Sequence, residues 1–114
     1  MPRLLMFVLL VLFATHYAEA QRVLSGFMTG NTYRELSADE KLGYVMGFVN
    51  GLLVAPMITG KEEDATWLHP CISGMTNNQV VAILEKFLND NPARWQQPMT
   101  VLSFRAIVQA CPRQ

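Results

Sequence analysis

The thiols and imidazoles of this chain are the first side chains to consider for chemistry, and they come close together in sequence at one place. Cys71 and Cys111 are the only cysteines, and His69 precedes the first of them by two residues. A thiol near a histidine could act as a catalytic nucleophile, but no Asp or Asn stands out to orient the imidazole. Because a second cysteine is present, we predict instead a structural disulfide between Cys71 and Cys111.

Other kinds of catalytic or cofactor site have no matching pattern in the sequence. No cluster of Cys, His, Asp and Glu has metal-ligand spacing around His69. The chain has neither a glycine-rich phosphate loop nor a nucleophile elbow, and no motif places two carboxylates for acid–base catalysis. We therefore expect a protein that is not an enzyme and that binds no metal and no other cofactor.

The first twenty residues have the layout of a cleavable export signal. Arg3 is the basic start, an apolar stretch runs from Leu4 to Ala14, and Ala18-Glu19-Ala20 is a small-residue cleavage site. The apolar stretch is shorter than the roughly 20 residues that span a membrane, so we predict cleavage rather than anchoring. Residues 21–114 would then form one domain in the periplasm, without membrane contact after cleavage.

Length and charge limit the partners of this domain. Lys plus Arg and Asp plus Glu each number 9 in the whole chain, and the balance persists after removal of the signal. It gives no indication of a nucleic acid or an anionic membrane as a partner. A domain of this size has a modest core. The disulfide would close a loop of about 41 residues and would contribute about 4 kcal/mol by the chain-entropy estimate.

Apolar residues at spacings of three and four predict three main helices and no strands. The first runs from Ser37 to Pro56 and the second from Thr76 to Asn91, and each opens with a capping box. A shorter helix around Gly30 to Leu36 precedes them. The third begins near Pro98, and its predicted line toward the core is Val101, Phe104, Val108 and Cys111. The predicted fold is all-α, a small bundle of about four helices with one disulfide.

Three glycines, Gly43, Gly47 and Gly51, recur at intervals of four inside the first long helix. They form one stripe along its side, and together they cost roughly 3 kcal/mol of helix propensity relative to Ala. A small domain is expected to retain that cost only where another helix or a partner approaches closely. We interpret the stripe as an internal packing face, with a homodimer or partner contact as the alternative.

The connection from Pro56 to Met75 is the longest predicted loop, and loops of about 20 residues without secondary structure are often functional. Its acidic residues Glu62, Glu63 and Asp64 are typical of a solvated surface, but they could also form the charged rim of a binding site. Trp67 is consistent with either a core residue beneath the loop or a binding anchor. These four residues are the candidate partner-binding site.

One ordered set of residues extends over nearly all of the mature chain, from Phe27 to Pro112. In order, the set comprises Phe27-Met28-Thr29-Gly30-Asn31, Gly43-Tyr44-Val45-Met46-Gly47, Pro70-Cys71, Thr76, Gln79, Val80, Leu84, Phe87, Leu88, Asn91-Pro92, Ala106 and Cys111. This set resembles the Tai and Rap immunity-protein family. Two features depart from the family. Leu36 and Leu42 stand near positions where members often carry another cysteine pair, and the final Pro-Cys order is reversed to Cys111-Pro112.

Members of that family are small, exported and helical, and they neutralise amidase effectors delivered by type VI secretion. The resemblance implies that this protein binds a peptidoglycan-cleaving amidase in the periplasm and blocks its active site. The alternative is a small periplasmic stress chaperone or a binding protein unrelated to immunity, since small helical acid chaperones also use a single disulfide. Such chaperones are typically rich in charge, and only 16% of the residues here are charged.

Overall fold

The structure is a computed structural model that describes residues 27–113 of the chain. The predicted signal peptide, residues 1–20, lies outside the described residues. Within them the chain forms five α-helices and two short 3-10 helices, and no strand. The α-helices are α1 (Gly30–Glu35), α2 (Ala38–Thr59), α3 (His69–Ser73), α4 (Asn77–Asp90) and α5 (Met99–Ala110), and the 3-10 helices are Glu62–Ala65 and Pro92–Arg94. The predicted all-α fold is confirmed.

Two capping boxes set the N-termini of the helices α2 and α4, as predicted. The Ser37 hydroxyl accepts a hydrogen bond from the Glu40 backbone N–H (3.3 Å), and the Glu40 carboxylate accepts one from the Ser37 N–H (2.8 Å). Thr76 and Gln79 repeat this arrangement at 3.2 and 2.7 Å. Two hydrogen bonds with Ser37 lower the pKa of the Glu40 carboxyl. The bond with the Ser37 backbone has the larger effect and the bond with its side chain the smaller.

The predicted end of the first long helix at Pro56 is wrong, because α2 continues past this residue to Thr59. A proline removes one backbone donor and restrains the preceding residues, but here only the last turn follows it. The Pro56 carbonyl accepts hydrogen bonds from the Lys61 N–H (3.0 Å) and the Thr59 hydroxyl (3.2 Å). Gly60, with a φ of 70°, takes the left-handed conformation that ends many helices.

The buried core lies where α4 packs against both α5 and one side of α2. Residues from α1, α3 and the turn before α3 complete it. The core comprises Tyr33, Val45, Leu68, Ile72, Val80, Leu84, Leu88, Met99, Leu102, Ala106, Ile107 and Cys111. Only Val45 of these twelve belongs to α2, although α2 is the longest helix described. The long helix therefore contributes one fully buried residue, and its side chains Tyr44, Phe48, Val49 and Leu52 pack partly buried against the core.

α5 buries a different line of residues from the one predicted. Val101 and Phe104 are 42% and 44% exposed, whereas Leu102 and Ala106 are buried. The prediction that Val101 and Phe104 face the core is therefore wrong. Cys111 is buried, as predicted. Apolar residues occur at spacings of three and four on both lines, so the spacing alone did not decide which line faces the core.

The predicted disulfide is present and joins Cys71 in α3 to Cys111, directly after α5. The two Cα atoms are 6.0 Å apart, and the cysteines are separated by 40 residues in sequence. Neither cysteine is a free thiol. The bond therefore ties the segment between α2 and α4 to the C-terminal end of the last helix.

Candidate functional site

The segment between α2 and α4, predicted as a loop, has secondary structure of its own. It contains the 3-10 helix Glu62–Ala65 and the one-turn helix α3. The carbonyl of Glu63 accepts hydrogen bonds from both the N–H (3.3 Å) and the hydroxyl (2.8 Å) of Thr66. Pro70 lies in the first turn of α3. The backbone N–H that proline lacks would have no acceptor within the helix there, so the proline does not destabilise it. These bonds and the disulfide give the segment a defined shape.

Trp67 lies at the junction between the 3-10 helix and α3. Its side chain is partly buried and packs against the core. The guanidinium carbon of Arg113 lies 5.1 Å from the centroid of the indole ring. The indole N–H is buried and has no acceptor among the described residues. Trp67 therefore has a structural role at the edge of the core in addition to any role in binding.

A groove with a volume of about 520 Å³ lies beside the disulfide. It is lined by Trp67, Pro70, Cys71, Ala110, Cys111 and Pro112. No side chain of this lining titrates near neutral pH, so the groove suits an apolar or peptide ligand rather than acid–base catalysis. The sequence pattern singles out Trp67 and the cysteines as candidate residues, but not Pro70, Ala110 and Pro112. Their positions next to the two cysteines were the signal that could have identified them.

The predicted acidic residues precede this groove in sequence. Glu62 and Glu63 are exposed on the 3-10 helix, and neither forms an ion pair with another residue of the described range. Asp64 belongs to the same helix by its backbone, and its side chain lies outside the description. Both glutamates are therefore available to a partner, five and four residues before Trp67.

The glycine stripe has no internal packing partner among residues 27–113. Gly43, Gly47 and Gly51 are exposed, and a Cβ atom added at any of them would meet no atom within 4 Å. The interpretation of the stripe as an internal packing face is therefore wrong. The glycines belong to an exposed surface, the α2 outer face, which consists of Gly43, Met46, Gly47, Asn50, Gly51, Val54, Met57 and Ile58.

The α2 outer face is unusually apolar for a solvated surface. Met57 is 67% exposed and Ile58 is 79% exposed. Within the described residues, α2 is the one helix that is long and apolar enough to cross a membrane when judged by length and composition alone. Only 6% of its most apolar window is buried. A core helix of a small bundle would bury a much larger share of its residues. Contact with another apolar surface would therefore stabilise this face.

Another groove, of about 270 Å³ and polar in its lining, lies where residues of α1, α2 and α4 meet. Lys41 forms an ion pair with Glu85 across it at 2.9 Å. Tyr33 also lines it, but its hydroxyl is buried and has no hydrogen-bond partner in the described part of the chain. Burial, and to a lesser degree the charge of Glu85, raises the pKa of this phenol. Lys41 and Glu85 are paired with each other, and the guanidinium carbon of Arg34, which also lines the groove, lies 3.4 Å from the centroid of the Trp95 ring.

The described residues contain no group of three or more His, Cys, Asp and Glu side chains that could hold a metal ion. His69 is exposed at the start of α3, and Cys71 is disulfide-bonded, so this pair cannot act as a thiol nucleophile and its base. Comparisons of the chain with protein-family models, curated proteins and solved structures found no match. The groove beside the disulfide and the α2 outer face are therefore the two surfaces from which a function can be argued.

Proposed function

We propose that this protein is a binding protein of the periplasm that inhibits a peptidoglycan amidase delivered by type VI secretion. The ordered residues that resemble the Tai and Rap immunity proteins support this partner. The observation that carries the proposal is the apolar groove between Trp67 and the disulfide, with the exposed Glu62 and Glu63 on the 3-10 helix before it. Such a surface suits an inhibitor, which needs shape and charge rather than reactive groups.

Rigidity is the second argument for this surface. The segment carrying Glu62, Glu63 and Trp67 is closed by local hydrogen bonds, and the disulfide fixes it to the end of α5. A surface that is already ordered before binding loses less conformational entropy in the complex. High affinity for a toxic enzyme is therefore compatible with a binding surface of modest size.

The groove and the acidic residues have different roles in this proposal. The groove receives an apolar element of the amidase, and because this contact is desolvated it sets the dissociation rate. Glu62 and Glu63 remain at the rim, where they attract basic groups of the amidase and mainly set the association rate. Salt should therefore slow association through the two glutamates and leave the groove contact nearly unchanged.

A pair of substitutions on α5 separates binding from folding. Ala110 lines the groove and is exposed, so Ala110→Arg should fill the groove without disturbing the core. Gln109→Arg adds the same side chain at the neighbouring exposed position, which does not line this groove, and is the control. We expect Ala110→Arg to weaken the complex at least tenfold, about 1.4 kcal/mol, and Gln109→Arg to leave it unchanged.

Trp67→Ala should also weaken the complex more than a single Glu62→Gln or Glu63→Gln change. Because Trp67 packs against the core, this variant is also expected to lose stability, and Trp67→Phe serves as the variant that keeps most of that packing. The measurement is the dissociation constant for an amidase encoded by the same genome, together with lysis of cells that express this amidase in the periplasm. A wild-type protein that neither binds such an amidase nor prevents lysis would contradict the proposal.

A periplasmic chaperone is the second candidate, and the α2 outer face is the observation that favours it. Exposed apolar side chains, including Met46 and Met57, could hold unfolded clients, because methionine side chains adapt to many shapes. Suppression of client aggregation by the purified protein is the measurement. If the protein suppresses aggregation and a charged substitution at Met57 abolishes this effect, the chaperone candidate is favoured over the amidase inhibitor.

A further inference from the structure

We propose that the polar groove between α1, α2 and α4 binds the C-terminal carboxylate of a short peptide, with Arg34 and the hydroxyl of Tyr33 as the donors. This groove is separate from the two surfaces used for the proposed function, and the inference does not depend on that function. It starts from two groups without a partner among residues 27–113. The buried Tyr33 hydroxyl has no hydrogen bond there, and Arg34 forms no ion pair there.

The Tyr33 hydroxyl is the first indication of a ligand. The residue is 0% exposed, and its side chain lines the groove. A buried hydroxyl without a partner destabilises the fold, and a phenylalanine would fill nearly the same space without that loss. Burial, and to a lesser degree the charge of Glu85, raises the pKa of this phenol, so the hydroxyl keeps its proton at neutral pH and can donate. An acceptor bound in the groove would satisfy it.

Arg34 supplies the second donor. Its guanidinium carbon lies 3.4 Å from the centroid of the Trp95 ring, so the group lies against the indole face. The indole N–H of Trp95 donates a hydrogen bond to the Leu88 carbonyl (2.8 Å), which fixes the ring. Contact with the indole uses the face of the guanidinium and leaves its N–H edges free. A guanidinium held in this way is ordered in advance for two parallel hydrogen bonds to a carboxylate.

The charges of the groove favour a carboxylate over a phosphate. Arg34 and Lys41 are the cations of the lining and Glu85 is its anion, so the net charge is +1. Lys41 and Glu85 are paired at 2.9 Å, which leaves the charge of Arg34 without a counter-charge. One carboxylate neutralises that charge. A phosphate dianion would place a second, unpaired negative charge near Glu85, which is unfavourable.

The remaining lining residues indicate a peptide rather than a simple carboxylate. The Glu85 side chain is 44% exposed and pairs with Lys41 through one oxygen, so its other oxygen can accept from an amide N–H. Asn89 is exposed, and its side-chain amide can both donate and accept. An amide close to a carboxylate is the chemistry of a peptide C-terminus. Leu88 is the one aliphatic residue of the described lining and is buried, which favours a small final side chain such as that of alanine.

A ligand reaches the Tyr33 hydroxyl after a small rearrangement. The oxygen atom is buried, although the groove beside it has a volume of about 270 Å³. Arg34 and Asn89 are exposed, and Glu85 is partly exposed. Exposed side chains of this kind change rotamer rapidly and without disturbing the core. The ligand therefore turns one of them aside, and the three helices keep their positions.

An NMR titration of the isotope-labelled protein tests the class of ligand. The probe is trialanine with a free C-terminus, and the control is trialanine amide, which lacks the negative charge. We expect a dissociation constant on the order of 1 mM or lower for the free acid, with shifts centred on α1, and at least about tenfold weaker binding of the amide. Equal binding of acid and amide, or no binding of the acid up to about 10 mM, would overturn the proposal.

The configuration of the last residue distinguishes two sources of such a carboxylate. Tighter binding of a peptide that ends in D-alanine would assign the groove to peptides of the cell wall. Tighter binding of the peptide that ends in L-alanine would assign it to the C-termini of proteins. Inorganic phosphate is the third probe, and phosphate that binds more tightly than either peptide would contradict the carboxylate.

Substitutions of the two donors test their roles. Tyr33→Phe, which keeps the ring, should weaken binding of trialanine at least about fivefold. Arg34→Gln should weaken it at least about tenfold. The controls are Tyr44→Phe, whose hydroxyl bonds to Ser103 outside the groove, and Arg105→Gln at an exposed position of α5. Each control should change the affinity less than about twofold.

Ligand-dependent stability separates a binding role of Tyr33 from a purely structural one. Saturating trialanine should raise the melting temperature of the wild type, and it should raise that of Tyr33→Phe by less. Circular dichroism should show all four variants folded. Unchanged affinity in both Tyr33→Phe and Arg34→Gln would show that the peptide does not bind through these donors, and the proposal would then be wrong.

Discussion

Tyr33 and Tyr44 pack edge to face, with ring centroids 5.3 Å apart, where α1 meets α2. Their hydroxyls are in different situations although both rings lie in the same part of the core. The Tyr44 hydroxyl shares a hydrogen bond with the buried Ser103 hydroxyl at 3.1 Å. The Tyr33 hydroxyl is buried without a partner among the described residues. A buried polar group without a hydrogen bond destabilises the fold, so the two residues should respond oppositely to loss of the hydroxyl.

Tyr33→Phe should therefore raise the free energy of unfolding by about 1 kcal/mol, because it removes an unpaired buried group and keeps the ring packing. Tyr44→Phe should lower it by about 1 kcal/mol, because Ser103 loses its partner. Urea unfolding at neutral pH, followed by circular dichroism, measures both variants against the wild type. A loss of stability in both variants would show that the Tyr33 hydroxyl is hydrogen-bonded in solution.

The same two tyrosines predict sensitivity to alkaline pH. Burial raises the pKa of both phenols above the ordinary value of 10.0, and the Ser103 hydrogen bond partly offsets this for Tyr44. Above about pH 10 the unfolded chain releases these protons while the folded chain retains them, so the unfolded state binds fewer protons and stability falls as pH rises. Below pH 10 the two phenols make their full contribution to the free energy of unfolding.

Melting temperatures between pH 8 and pH 11.5, at intervals of about half a unit, test this expectation. The melting temperature should fall above pH 10, and the fall should be smaller in Tyr33→Phe, which has one fewer buried phenol. Equal alkaline profiles of the wild type and Tyr33→Phe would show that Tyr33 does not contribute to the pH dependence.

At the scale of the element, α2 combines a well-defined start with an outer face that no other described residue covers. Its capping box and its closing glycine give it clear ends, while three interior glycines lower its intrinsic stability. Among residues 27–113, nothing packs on these glycines to offset that cost.

Gly43→Ala should stabilise the monomer by about 1 kcal/mol, because the new Cβ meets no atom of the described chain and alanine is the better helix former. Gly60→Ala should instead destabilise it by about 1 kcal/mol, because Gly60 has a φ of 70° and an alanine is strained in this conformation. Thermal unfolding measures both. A destabilised Gly43→Ala variant would mean that another surface packs on this position.

At the scale of the whole molecule, one covalent bond connects the candidate binding segment to the end of the chain. The disulfide from Cys71 to Cys111 closes most of the C-terminal half, including α4 and α5. Loss of this bond therefore affects the core and the groove together. In the proposed function, an inhibitor made in a reducing compartment would be both less stable and less well ordered at its binding surface.

The double variant Cys71→Ser with Cys111→Ser should lose up to about 4 kcal/mol of unfolding free energy, the chain-entropy estimate for a loop of this length. Chemical denaturation of the variant and the wild type under non-reducing conditions measures the difference. Denatured wild-type protein, isolated under non-reducing conditions, should also show no titratable thiol. Two titratable thiols in such material would contradict the disulfide.

Local patterns in the sequence determined much of the fold. The capping boxes at Ser37 and Thr76 located two helix starts, because caps act within four residues of the chain. The disulfide was predictable because only one pairing of two cysteines exists. Of the residues that line the groove, the sequence singles out Trp67 and the two cysteines, but the proline and alanine walls come from separate parts of the chain.

The sequence by itself determined the all-α class, most helix starts and the cysteine pair, because these follow from local spacing and simple counting. Tertiary structure alone decided which line of α5 faces the core, that α2 continues past Pro56, and that the glycine stripe remains uncovered within the described chain. The physical reason is that burial depends on which surfaces of distant elements meet. Val101 and Leu102 are both apolar, and the helices that pack against α5, including α4 and α1, bury Leu102 and leave Val101 exposed.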